Sequence, residues 1–112
     1  MKLKNLHEEP QLLIKLIAEY LLENGIRGEE ATFAGQASQF IVPPAGAVGM
    51  INNGPQVRIW AFDSGKINAI YYKNLHTITP FRVDLDAHDP DSLERLKNFI
   101  MKFEDVWTAA RT

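Results

Sequence analysis

Residues 57–72 read VRIWAFDSGKINAIYY. Two alternating runs, Val57 to Phe62 and Lys66 to Tyr72, flank the tripeptide Asp63-Ser64-Gly65. Such a tripeptide suits a three-residue hairpin loop, a type I turn followed by Gly65 in the left-handed position. That loop sets Phe62 opposite Lys66, Ala61 opposite Ile67, Trp60 opposite Asn68, Ile59 opposite Ala69, Arg58 opposite Ile70 and Val57 opposite Tyr71. Side chains alternate between faces along a strand. One face then carries Val57, Ile59, Ala61, Ile67, Ala69 and Tyr71, nearly all apolar. The other carries Arg58, Trp60, Phe62, Lys66, Asn68, Ile70 and Tyr72, which is mixed. A slip of one residue sets Asn68 against Ala61 and destroys the sorting.

Working outward, Ile78 to Asp86 alternates as well. Phe81, Val83 and Leu85 share one side, and Arg82, Asp84 and Asp86 the other. Pro80 belongs at the start of that strand or on a sheet edge. Asp89-Pro90 then reads as the cap and first residue of a helix. Leu93, Leu96, Phe99, Ile100, Phe103, Val106 and Trp107 follow at steps of three and four, a single stripe. Toward the amino terminus, Pro10 to Asn24 reads as a helix with Leu13, Ile17, Tyr20 and Leu21 on its main stripe. Leu12, Leu16 and Leu22 widen the arc, so this helix either lies between sheet and second helix or meets a partner. Asn24-Gly25 is its stop, with Gly25 left-handed and Ile26 folding back.

Residues 27–56 are rich in glycine and proline and carry the weakest pattern. Gln39 to Val42 and Ala47 to Ile51 read as short strands, with a turn at Asn52-Asn53-Gly54. Glu29 to Phe40 also fits a short helix, through Phe33, Ala37, Phe40 and Ile41. The strand reading is preferred. The expected architecture is α+β in one domain over residues 1–112. It has an N-terminal helix, an antiparallel meander of three to five strands and a C-terminal helix, with both helices on one sheet face.

The totals narrow the function classes. The chain has 112 residues, 46% hydrophobic and 23% charged, which is ordinary for a globular domain. A net charge of −2 gives no field that would draw it to nucleic acid, which is not the expected partner. The absence of cysteine removes disulfides, thiolate metal sites and cysteine nucleophiles. No apolar run approaches a membrane span or a signal peptide, so the expectation is a soluble, cytoplasmic protein.

Catalytic signatures are incomplete. Neither His7 nor His76 has a sequence neighbour that makes a dyad, and no Gly-x-Ser-x-Gly elbow or His-Glu-x-x-His pair occurs. The glycines at 46 and 49 lack the spacing of a phosphate loop. Ala31 to Gly35 echoes a helix-turn-helix, but Pro43 and Pro44 break the second helix. A nuclease core with Glu19 or Glu23 and Asp63 lacks its acid-x-lysine, since Tyr71-Tyr72-Lys73 stands there. Asp84, Asp86 and His88 share one side of an extended strand, and two carboxylates with an imidazole could hold a divalent metal for hydrolysis. Solvated strand carboxylates explain the same residues.

The mixed face remains. Arg58, Trp60, Phe62, Ile70, Tyr72 and Arg82 combine large apolar groups with guanidinium groups, the composition of interaction centres. The expectation is a non-enzymatic binding or regulatory protein with no cofactor, acting as a homodimer or on another protein. A stacking platform for a small ligand or single strand is the alternative use of these aromatic groups. Residues 27–56 folding over this face would instead bury it.

Overall fold

The computed structural model describes residues 9–33, 36–44, 54–74 and 81–111. The chain runs α1 (Pro10–Glu23), β1 (Glu29–Phe33), β2 (Gln36–Val42), β3 (Gln56–Ala61), β4 (Lys66–Tyr72), β5 (Arg82–Asp86), α2 (Ser92–Met101) and α3 (Glu104–Ala110). The strands form one antiparallel meander in the order β1-β2-β3-β4-β5. The helices pack on one face of it, an α+β fold.

The β3–β4 register is the one the alternation requires, from Val57 opposite Tyr71 to Ala61 opposite Ile67. Phe62 N–H closes the hairpin on Lys66 O at 2.8 Å. The turn differs from expectation. Ser64 has φ 67° and Gly65 φ 84°, so both residues are left-handed. A type I turn would leave Ser64 right-handed. The primed hand follows the right-handed twist of the strands, and it is reached here at the expense of a left-handed serine.

β1 and β2 form a second hairpin, with a bulge between Ala31 and Thr32. The strand reading of Gln39 to Val42 therefore holds, and the helical alternative for Glu29 to Phe40 does not. The helix-like spacing there arises because Phe40 faces the core while Ile41, on the opposite face, is also buried. Gly28 lies flat under Phe40, where a Cβ would run into the ring. These strands lengthen the sheet edgewise rather than lying over its mixed face. The suggested strand at Ala47 to Ile51 lies outside the described residues, as do Ile78 to Pro80; β5 proper begins at Arg82.

The clean face is the core. Val57, Ile59, Ala61, Ile67, Ala69 and Tyr71 are all buried beneath the helices, together with Leu85 of β5. From α1 come Leu13, Ile14, Ile17 and Leu21, while Leu12 and Leu22 stay exposed. The arc therefore turns toward Ile14 rather than spanning both flanks. Its end is a Schellman stop: Ile26 N–H reaches Leu21 O at 2.8 Å, Gly25 N–H reaches Leu22 O at 3.0 Å, and Gly25 has φ 79°. Ile26 then bridges to Arg111, and Arg27 N–H donates to Ala110 O at 2.7 Å. The exit of the first helix is thus tied to the exit of the last.

The expected single C-terminal helix is two. It begins at Ser92 with Asp91 at the cap position, not at Asp89-Pro90. Ala87 N–H bonds back to Gly65 O at 2.8 Å, and Asp89 N–H to Asp86 O at 2.9 Å, so the strand exit occupies residues 87–91 in turns. The helix then breaks at Lys102-Phe103, where Phe103 is extended. Its ring stacks on Tyr71 at 4.0 Å and 3°, and meets Phe81 and Phe99 edge to face. The stripe of threes and fours continues across the break, which hides it from the sequence. Beyond the break, Val106 and Ala110 complete the core.

Candidate binding face of the sheet

Pairing across the sheet sorts the face away from the helices into rows. Directly opposed residues in antiparallel strands share a face. One row runs Glu29, Ile41, Arg58, Ile70, Arg82. The next runs Ala31, Gln39, Trp60, Asn68, Asp84. Tyr72 stands opposite Gln56 at one end, and Lys66 opposite Asp86 at the other. All six residues named from sequence, Arg58, Trp60, Phe62, Ile70, Tyr72 and Arg82, therefore lie on or at the margin of this face.

Their exposure is graded. Ile41 and Gln56 are buried, closing one end. Arg58, Trp60, Ile70 and Tyr72 are half-buried, and Phe62 is 49% exposed at the open end. Hydrogen bonds fix the polar groups among them. Arg58 Nε donates to Gln56 Oε1 at 2.7 Å, and its Nη1 to Gln39 Oε1 at 3.4 Å. Gln56 Nε2 donates to Gly54 O at 3.1 Å. The Arg58 guanidinium is thereby fixed beside Trp60. Gln56 was legible as the next position in the 56, 58, 60 alternation. Gln39 was not, because nothing local reveals how β2 pairs.

The β5 side is acidic but compensated. Asp84 accepts from Arg82 at 2.9 Å and from Asn68. Arg82 first, then Asn68, holds the Asp84 carboxyl below its ordinary range. Asp86 accepts the His88 backbone N–H at 2.9 Å, His88 Nδ1 at 2.7 Å and Lys66 Nζ at 3.1 Å. The His88 backbone N–H, then its ring, then Lys66 hold Asp86 well below the usual carboxylate range. The two carboxylates are thus engaged with separate partners. Among the described residues, no three His, Asp or Glu side chains gather as a metal ion would require.

On the covered face, Tyr71 Oη donates to Asp105 Oδ2 at 2.7 Å. Burial, reinforced by that carboxylate, pushes the Tyr71 phenol up to about 12. This link between sheet and α3 has no signature in sequence, the two residues being 34 apart. No helix among the described residues is long and apolar enough to cross a membrane. Comparisons with protein-family models, curated proteins and solved structures give no match to this chain.

Proposed function

We propose that this chain is a non-enzymatic binding or regulatory protein that works through protein–protein contact, pairing with a second copy of itself through the mixed face. The observation behind the reading is the hairpin register. It leaves Trp60, Phe62, Ile70 and Tyr72 together on the face opposite the described helices.

Charge supports a second copy as the occupant. A two-fold contact sets a patch against itself, so a single-signed patch repels. Here Arg58, Lys66 and Arg82 are balanced by Glu29, Asp84 and Asp86 in the same and neighbouring rows. Half-buried aromatic groups flanked by a fixed guanidinium also have the make-up of an interface centre.

The test is Trp60→Asp, followed by circular dichroism, thermal unfolding and solution mass. The expected product is folded and monomeric. An unfolded product would assign Trp60 to the core, and a folded product of unchanged mass would remove the face from any self-contact.

A further inference from the structure

A second surface lies at the outer edge of β5, where an open cleft of about 380 Å³ separates the strand from α2. Phe81, Val83 and Phe99 form its apolar part, and Arg95, Asn98 and Lys102 its polar wall. Arg95, Asn98 and Lys102 are spaced by three and four, so α2 presents them along one stripe. Among the described residues no acidic side chain lines the cleft. Phe81 is 53% exposed. Arg82 also borders the cleft, but its guanidinium is bound to Asp84. The cations that face an incoming ligand are therefore Arg95 and Lys102.

The strand edge adds a directional element. Tyr71 N–H donates to Phe81 O at 3.0 Å, which puts these two at a hydrogen-bonded position of the ladder. Antiparallel ladders alternate, so Val83 and Leu85 turn their backbone groups inward to β4. Arg82 and Asp84 turn theirs outward. β5 ends the sheet, and among the described residues no strand pairs with its outer side. The groove thus offers backbone hydrogen-bonding groups on one wall, cations on the other and an aromatic floor.

We propose that this groove takes an extended acidic peptide segment of a partner protein as an added strand. Its backbone would bond to Arg82 and Asp84, as in strand addition to other open edges. Alternate side chains would point to the helix side. Carboxylates there meet Arg95 and Lys102, and the intervening apolar side chains point to the other side of the sheet. Those two residues lie two turns apart, about 10 Å along the helix. Carboxylates on one face of a strand recur about every 7 Å, a mismatch that long, flexible side chains absorb. The outward backbone groups favour a peptide over a small free anion, which would use the cations alone.

Fluorescence anisotropy of a fluorescein-labelled hexapeptide alternating glutamate and valine tests this on the full chain. Saturable binding is expected, weakened at least tenfold when lysine replaces glutamate. Arg95→Glu with Lys102→Glu should weaken it to the same extent; both side chains are exposed, so thermal unfolding should show the fold kept. Two N-methylated peptides, blocked at odd or at even amides, separate strand addition from ion pairing. One series should lose binding and the other keep it. Trp60→Asp should bind as the parent does, which separates this site from the mixed face. Absence of saturable binding, equal binding of the lysine peptide, or indifference to both methylation series would overturn the proposal.

Discussion

The two faces of the sheet are made from the same strands, residue by alternate residue, and they differ in what fixes their side chains. On the covered face Val57, Ile59 and Ala69 are fully buried, and packing alone holds them. On the mixed face Arg58, Asn68 and Asp84 are held by hydrogen bonds, and Trp60, Ile70 and Tyr72 sit among them partly open. Substitutions on the first face should therefore report on folding. Those on the second should report on association while leaving the fold in place.

The largest separation should come from Ile59→Ala, one position from Trp60. Ile59 is fully buried, and truncating such a side chain costs about 2–5 kcal/mol. Denaturant unfolding at concentrations where the parent is dissociated should show that loss, whereas Trp60→Asp should keep its transition within about 1 kcal/mol of the parent. Comparable losses from both would collapse the distinction between the faces.

Alkaline titration sharpens the covered face further. The folded state needs the Tyr71 phenol neutral, with a pKa raised from about 10 when unfolded to about 12. A raised pKa contributes stability that is whole below pH 10 and fades as pH climbs through 12. At most about 2–3 kcal/mol is at stake, since each unit is about 1.4 kcal/mol. Tyr71→Phe should cost about 1 kcal/mol at neutral pH through the lost bond to Asp105 and should remove that alkaline decline. Urea unfolding at pH 8, 10 and 11 reads both effects. A decline of equal size in the variant would detach it from Tyr71.

The smallest effect lies in the turn that sorts the faces. Ser64 is the only non-glycine residue with positive φ among the described residues. Asparagine tolerates that conformation better, so Ser64→Asn should raise stability by about 0.5 kcal/mol. A thermal midpoint that falls would mean the serine side chain matters to the loop in some other way.

How far this comparison could be read from sequence depends on distance along the chain. The β3–β4 register was legible because alternation and turn residues sit within sixteen consecutive residues and only one pairing sorts them. The first helix and its glycine stop were legible for the same local reason. The β1–β2 hairpin was obscured because Phe40 and Ile41 are buried on opposite faces, which mimics helical spacing. The break at Phe103 was invisible because its ring is drawn to Tyr71, a partner far back in the chain. Of the candidate face, the six named side chains followed from period two, but the clamp on Arg58 by Gln39 needed the β2–β3 pairing. The cleft beside β5 joins residue 81 to residues 95–102, so only Arg95 and Lys102, basic and off the apolar stripe of their helix, hinted at it.

Solution mass by multi-angle light scattering over a concentration series tests most directly whether the aromatic side chains of the mixed face serve self-pairing. The expected result is a species of twice the 12.7 kDa chain mass that dissociates on dilution and is absent in Trp60→Asp. A mass that stays at the single-chain value at every concentration would contradict it.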